Sequence, residues 1–177
     1  HGILIKGGVY LEMGRKLKAV ALDKTGTITV GKPVVTDTQQ IHAGDMPAML
    51  RLAASLSQRS DHPVSSAVVA HWQAQQNPQA LHEVSDFEAL TGRGVRGIIG
   101  GEAYYLGNHR LIHELGICGP ELEAALDAFE QTGKTAVVLG SSASPLLILA
   151  AADTIRDSSQ AAVVKLQQMG VQVVMLT

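Results

Sequence analysis

Residues 23–27 read Asp-Lys-Thr-Gly-Thr, a group of one carboxylate, one amine and two hydroxyls around a glycine. They follow the short apolar run 19–22, which predicts a buried strand ending at Asp23. In an open α/β sheet, ligands bind beyond the carboxyl ends of the strands, so Asp23 is expected to face a ligand. Gly26 permits a tight turn whose N–H groups, with the threonine hydroxyls, can donate to phosphate oxygens. The pattern therefore predicts a carboxylate nucleophile that accepts a phosphoryl group.

Position 25 separates two kinds of phosphoryl chemistry. A phosphatase built on such a turn benefits from a second acid two residues after the nucleophile, which protonates the leaving group and later activates water. Thr25 cannot do this, so the acyl phosphate is expected to persist until another group removes it. A long-lived phosphoenzyme is more typical of an enzyme that couples ATP hydrolysis to another process than of a simple hydrolase. The alternative is a buried strand followed by an ordinary polar turn.

A histidine in the middle of the chain has the properties of a base-binding residue. Residues 60–63 read Ser-Asp-His-Pro, between two predicted helices. A neutral imidazole at His62 could stack on an adenine face and hydrogen-bond to its edge. The alternative is a solvated loop histidine, which is the usual fate of a histidine before proline.

Two glycine-containing stretches follow, at 92–97 (Gly-Arg-Gly-Val-Arg-Gly) and 107–108 (Gly-Asn). The first has the spacing of a dinucleotide fingerprint, but that fingerprint requires a helix after the glycines, and a strand follows here. We instead expect a turn whose missing side chains let a flat base or sugar approach the backbone, with a plain hairpin turn as the alternative. Asn108 is also well suited to cap a helix, and both roles are compatible.

The remaining pattern predicts the elements that hold these residues. The middle of the chain alternates strands with amphipathic helices, and helices on one face of a mostly antiparallel sheet give an α+β fold. Runs 146–151 and 171–176 are apolar throughout and flank an amphipathic helix at 158–169, which predicts a parallel βαβ unit. Arg156, between the first run and the helix, could pair with a neighbouring aspartate.

Two further histidines, His109 and His113, lie four residues apart on a short predicted helix. This spacing can bind a metal ion, but structural metal sites need more ligands. We find no third ligand near them and expect no metal site from this pair.

Together, the stretches at 23–27, 60–63, 92–97 and 107–108 resemble the ATP-binding region of heavy-metal-transporting P-type ATPases, which have a haloacid-dehalogenase-like fold. The resemblance runs essentially from end to end of the chain. Residues 5–12 (Ile-Lys-Gly-Gly-Val-Tyr-Leu-Glu) resemble the zinc, cadmium and lead branch more than the copper branch.

The resemblance implies an α/β fold of two parts. Segments 1–32 and 145–177 would form a partial, Rossmann-type phosphorylation domain. Segment 33–144 would form an inserted α+β nucleotide-binding domain, with an antiparallel sheet flanked by helices.

The resemblance also implies roles for individual residues in ATP binding. The nucleotide-binding residues would be His62, Gly92, Gly94, Gly107 and Asn108. Many members of the family carry a glutamate five residues before the histidine, where it reaches the adenine amino group. Ser57 occupies that position here, so we expect weaker or differently arranged purine recognition.

At the phosphorylation site, the γ-phosphoryl group of ATP would pass to Asp23. The other catalytic positions implied by the family are Lys24, Thr25, Thr27 and Thr177. Lys24 and Thr177 would stabilise the transferring group, and the Asp23 carboxylate with the Thr25 carbonyl would help hold Mg²⁺. The motif that completes the Mg²⁺ site is absent from this sequence.

Composition limits the partners. The net charge of −2 and the pI near 6.4 argue against nucleic-acid binding. The single cysteine excludes a disulfide framework, and no apolar run approaches the ~20 residues of a membrane helix. The chain starts without methionine, and we expect a soluble, cytoplasmic piece of a membrane protein, located at the cytoplasmic face of the cell membrane.

In that parent protein, the partners would be ATP, an actuator domain and membrane helices. The parent would be an ATP-hydrolysing metal exporter, whereas this chain alone would bind nucleotide with little or no turnover. Three alternatives stay open: a copper-branch P-type ATPase, a soluble phosphatase of the same fold, and a non-catalytic nucleotide-binding module.

Overall fold

The structure, a computed structural model, describes residues 4–76 and 78–176, except for the side chain of Thr25. The chain forms two compact units. The first unit contains the residues up to Gly31 together with those from Thr154 onward, and the second unit contains Lys32–Asp153.

Helices and strands alternate along the described ranges. The helices are α1 (Gly8–Gly14), α2 (Met46–Ser57), α3 (Pro63–Gln73), α4 (His109–Glu114), α5 (Pro120–Gln131) and α6 (Asp157–Gln168). The strands are β1 (Ala19–Asp23), β2 (Thr29–Gln40), β3 (Ser85–Leu90), β4 (Gly94–Ile99), β5 (Glu102–Gly107), β6 (Thr135–Ser141), β7 (Pro145–Ile155) and β8 (Gln172–Leu176). None of these helices has both the length and the apolar character that crossing a bilayer requires.

The first unit is built on a parallel strand pair. β1 pairs with β8 so that Ala19 lies opposite Gln172 and Asp23 lies opposite Leu176. The two strands therefore end at the same edge. Helix α6 packs against β8 and against the turn that follows Asp23, so the helix supports the end of the sheet that carries the carboxylate.

The second unit contains a six-stranded sheet in the order β2-β7-β6-β5-β4-β3. The neighbours from β3 to β7 pair in antiparallel fashion. Hydrophobic clusters lie against it. One includes Leu56, Val68 and Trp72 from α2 and α3, and the other includes Ile112 and Leu122 from α4 and α5. The predicted antiparallel sheet flanked by helices is confirmed, but the helices cover both of its faces and not one face as expected.

Strand β7 differs from the sequence prediction. We expected residues 146–151 to form a parallel strand of the first domain, but they pair antiparallel with β6 in the second unit. The reason is that both faces of β7 are covered. Leu147 and Leu149 belong to one hydrophobic cluster, whereas Ile148 between them belongs to the other. An antiparallel strand with two covered faces is apolar throughout, like a parallel strand.

The domain boundary shifts for the same reason. We expected the insert to end at residue 144, whereas the structure divides the chain between Asp153 and Thr154. Most of β7 thus belongs to the second unit. The first division lies between Gly31 and Lys32, next to the predicted position.

Gly97 in β4 has no room for a side chain, which gives a prediction about stability. An added Cβ atom would lie 2.4 Å from Val84 Cγ1 and 3.0 Å from Leu56 Cδ2. We expect Gly97→Val to lower the free energy of unfolding by about 1–3 kcal/mol, the usual cost of overpacking. Urea unfolding followed by the fluorescence of the buried Trp72 measures this cost.

The matched control introduces the same residue on the other face of the same strand. Arg96 is exposed and pairs with Glu88 at the surface, so Arg96→Val should change stability by less than about 1 kcal/mol. Equal unfolding midpoints for Gly97→Val and Arg96→Val would contradict the packing argument.

Candidate functional site

Asp23 is presented by a turn with an unusual shape. The exposed residue ends β1 and precedes a single π-helical turn, Lys24–Ile28, in which Gly26 has a φ of +79°. Thr29 Oγ1 accepts a hydrogen bond from the Gly26 N–H at 3.1 Å and donates one to the Lys24 carbonyl at 3.1 Å. Because Thr29 is only 2% exposed, a buried hydroxyl fixes the curvature of the turn.

Arg156, the residue that precedes α6, also stabilises this turn through its guanidinium group. It donates to the carbonyl oxygens of Thr29 at 2.8 Å, Gly26 at 3.2 Å and Val30 at 3.3 Å. The Arg156 N–H also donates to the Ile28 carbonyl at 3.0 Å. Sequence reasoning proposed a local ion pair for this arginine and missed its role as an anchor of the turn.

The other predicted residues of this site are described to different extents. Lys24 is half-buried and Thr27 is exposed, and both lie in the π-helical turn. The Thr27 carbonyl accepts a hydrogen bond from Ser159 Oγ at 3.4 Å. The side chain of Thr25 and the whole of Thr177 lie outside the described residues.

A separate cavity of about 370 Å³ opens in the second unit. Its size falls within the range of small-molecule sites. Five sequence-predicted residues line it together: His62, Gly92, Gly94, Gly107 and Asn108. His62 and Asn108, which are 46 positions apart in the sequence, therefore meet at one cavity.

His62 reaches the cavity with its ring held in one tautomer. The residue caps the N-terminus of α3, and its Nδ1 accepts a hydrogen bond from the Val64 N–H at 3.2 Å. An accepting Nδ1 leaves the proton of the neutral ring on Nε2. The exposed imidazole therefore offers a flat face and one N–H donor.

The glycines at the cavity have two different structural roles. Gly94 and Gly107 face each other across β4 and β5, and a Cβ atom at Gly94 would lie 2.3 Å from the Leu106 carbonyl oxygen. A Cβ atom at Gly107 would lie 2.4 Å from the Arg93 carbonyl oxygen. Gly92, with a φ of +68°, has open space around its Cβ position. Thus Gly94 and Gly107 permit close backbone packing, and Gly92 leaves room for a ligand.

Asn108 joins the glycine turn to α4. Its Nδ2 donates to the Gly92 carbonyl at 3.0 Å, and its Oδ1 accepts from the Leu111 N–H at 3.2 Å. Its own N–H donates to the Arg93 carbonyl at 2.8 Å. The predicted helix-capping role is confirmed, and the same side chain also fixes the position of the turn at the cavity.

The lining of the cavity is mostly apolar. Among the described lining residues, Arg93 carries the formal charge, and it is paired with Glu114 at 2.9 Å. The apolar contributions come from Val64, Val68, Ala89, Leu90, Val95, Leu106, Ala136 and Val137. Such a lining suits a flat, largely apolar group with a few polar edge atoms.

Ser57 does not contribute to this cavity. It is 1% exposed at the end of α2, and it is not one of the lining residues. Its Oγ makes no hydrogen bond to any described residue. Ser57 therefore has no direct contact with the space in this cavity.

Comparisons with known proteins show the family of the chain. A family model described as haloacid dehalogenase-like hydrolase matches residues 17–177. A cadmium-transporting ATPase of Staphylococcus aureus is 38% identical over 180 residues, covering 99% of this chain and 25% of that protein. A copper-exporting P-type ATPase of Staphylococcus saprophyticus is 39% identical over 177 residues, covering 100% of this chain and 21% of that protein. The chain thus spans about a quarter of the length of these relatives.

Solved structures give the same result. A crystal structure of a zinc-transporting PIB-type ATPase in an E2.Pi state matches 98% of this chain and 28% of that chain, with a TM-score of 0.71 and 33% identity. The catalytic domain of the CPx-ATPase CopB-B matches 97% of this chain and 58% of that chain, with a TM-score of 0.67. Because the latter identity is 22%, that match supports the fold alone.

The Arg156 anchor can be tested by hydrogen exchange. Arg156→Ala removes three charge-assisted hydrogen bonds to the turn. Allowing for the exposure of this side chain, we expect a local loss of about 1–2 kcal/mol. The exchange of amides 24–30 should then accelerate roughly 5- to 30-fold.

Lys165→Ala serves as the control, since Lys165 is an exposed cation on α6. Unchanged exchange at 24–30 in Arg156→Ala would show that the turn holds its shape without the guanidinium.

Proposed function

Because the chain belongs to the haloacid dehalogenase-like hydrolase family, we propose that it is the ATP-binding and phosphorylation region of a heavy-metal-exporting P-type ATPase. The observation that carries this proposal is the cavity that gathers His62, Gly92 and Asn108 in the second unit. The strand-end carboxylate Asp23, followed by an ordered turn in the first unit, supports it independently.

The cavity fits the adenosine part of ATP. The imidazole of His62 offers a face for stacking and an Nε2–H that can donate to a ring nitrogen of the base. Open space at Gly92 would admit the sugar or the base next to the backbone. Because Arg93 is neutralised by Glu114, this cavity is better suited to a base than to a triphosphate.

In the first unit, Asp23 would act as the nucleophile. One carboxylate oxygen would attack the γ-phosphorus of ATP, the bond to the bridging oxygen would break, and ADP would leave. Lys24, and Thr177 in the part of the chain outside the described residues, would hold the transferring group. Thr27 would supply a hydroxyl donor.

Mg²⁺ would neutralise the negative charge of the phosphates when bound. The exposed Asp23 carboxylate and the Thr25 carbonyl are hard oxygen ligands, which is the kind that Mg²⁺ prefers. They would supply part of its coordination shell. The remaining ligands and the group that hydrolyses the acyl phosphate would come from other segments of the parent protein.

The proposed cargo is a divalent ion such as zinc or cadmium. The relatives include cadmium- and copper-transporting ATPases at nearly equal identity, 38% and 39%. The zinc-transporting structure, with 33% identity, also covers nearly the whole chain. The parent would place this region at the cytoplasmic face of the membrane, in contact with an actuator domain.

Nucleotide binding can be tested without removing the cap of α3. In His62→Asn, the new side chain can still cap the helix, because asparagine is among the best N-cap residues, but the aromatic face is lost. Stacking of a base on an aromatic ring is worth about 1–3 kcal/mol, so the affinity for ATP should fall roughly 5- to 150-fold. Calorimetric titration of ATP without Mg²⁺ measures this change.

His71→Asn is the matched control, because His71 lies on α3 but does not line the cavity. Equal ATP affinity for wild type and His62→Asn would exclude the imidazole from nucleotide recognition. Absence of ATP binding to the folded wild type would overturn the assignment of the cavity.

Phosphorylation is best tested in the full-length parent protein. With labelled ATP and Mg²⁺, we expect a hydroxylamine-sensitive phosphoenzyme that Asp23→Asn abolishes, because only the carboxylate can form an acyl phosphate. Asp23→Asn should leave the ATP affinity of the second unit unchanged.

The same measurements separate the alternative functions. Nucleotide binding without phosphorylation of Asp23 would favour a non-catalytic binding module. Robust hydrolysis of p-nitrophenyl phosphate by this chain, dependent on Asp23, would instead indicate a phosphatase.

A further inference from the structure

Three side chains of metal-ligating types meet between α4 and α5 in the second unit. His109, Cys118 and Glu123 each place one ligand atom within 4.8 Å of the other two. From the sequence we considered His109 with His113, found no third ligand and expected no metal site. His113 is indeed exposed, and the two ring centroids are 6.4 Å apart, but Cys118 and Glu123 are ligands that the sequence analysis missed. We propose that His109, Cys118 and Glu123 form a binding site for a zinc-like divalent metal ion, separate from the cavity and from Asp23.

The backbone between the two helices holds these ligands in place. Helix α4 ends in a Schellman motif, in which the Ile117 N–H donates to the Ile112 carbonyl at 3.3 Å and the Gly116 N–H to the His113 carbonyl at 3.0 Å. Gly116 has a φ of +70°, so it turns the chain back. Cys118 packs against the hydrophobic cluster formed by α4 and α5. The three ligands therefore come from a helix start, a tight connection and the first turn of the next helix.

The distances suit a tetrahedral ion. His109 Nε2 and Cys118 Sγ each lie 3.8 Å from Glu123 Oε1. Zinc bonds of about 2.0–2.3 Å in tetrahedral geometry place ligand atoms roughly 3.4–3.6 Å apart. Small side-chain rotations would thus bring all three atoms into coordination, and a water molecule could occupy the fourth position.

One nitrogen of the cluster lacks a hydrogen-bond partner within the described chain, whereas the Cys118 thiol donates a long hydrogen bond to Glu123 Oε1 at 3.8 Å. His109 Nε2 is shielded from solvent and makes no hydrogen bond there, since 3.8 Å to Glu123 exceeds hydrogen-bond distance. A buried, unsatisfied ring nitrogen costs free energy. A cation between the ring, the carboxylate and the sulfur would satisfy all three groups.

The ligand types define the class of ion. A thiolate and an imidazole favour zinc, cadmium and cobalt over magnesium or calcium, which prefer oxygen ligands. A bound ion would connect the start of α4, the connection and α5, and so stabilise this end of the unit.

The test uses the single cysteine of the chain as its reporter. Titration of the metal-free chain with Co²⁺ should give one equivalent of a complex with a thiolate-to-cobalt charge-transfer band. Only Cys118 can produce this band, because no other cysteine is present. Zn²⁺ and Cd²⁺ should displace the cobalt and abolish the band, and Mg²⁺ at the same concentration should not.

The variants test the other two ligands. We expect His109→Ala and Glu123→Gln each to weaken cobalt binding at least tenfold, and Cys118→Ser to remove the band. His113→Ala, which changes a neighbouring histidine outside the cluster, should bind cobalt like the wild type. Trp72 fluorescence, from a buried residue of the other hydrophobic cluster, checks that each variant is folded. A folded wild type without the band, or a band unaffected by both His109→Ala and Glu123→Gln, would overturn the proposal.

Discussion

The close backbone contact between Gly94 and Gly107 is the constraint on which the second unit depends. The two residues are paired across β4 and β5, and any side chain at either one would collide with backbone atoms. This contact lets Asn108 donate from its N–H to Arg93 and from its side chain to Gly92. One pair of glycines thereby sets the position of the cavity wall and of the first turn of α4.

The two units meet different electrostatic demands. Among the described residues that line the cavity, Arg93 carries the formal charge and is paired with Glu114, so the lining would suit a flat, weakly polar ligand. The turn after Asp23 instead has a guanidinium bound to its carbonyls. Arg156 therefore satisfies these oxygens with a charged donor.

The sequence predicted some of the features that depend on neighbouring residues. The predicted asparagine cap of α4 is present, and the predicted strand ends at Asp23. The residues of this strand are exposed or half-buried, however, and not buried as expected. The capping of α3 by His62 was not predicted. Two features that depend on distant pairing were wrong or missed. The apolar sequence of β7 indicates that both faces of this strand are buried, but it does not indicate which strand pairs with it. Arg156 finds its carbonyl partners 126–130 positions away, and no local pattern encodes that contact.

The burial of Ser57 changes how a purine would be recognised. With Ser57 outside the lining of the cavity, this chain offers no carboxylate there for the amino group of adenine. Recognition would then rest on stacking against His62 and on backbone groups of the turn at Gly92. Stacking depends little on the identity of the base, because every base has a π face. Discrimination between purines would therefore depend on the backbone atoms of the turn, and hence on the hydrogen bond from Asn108 that holds it.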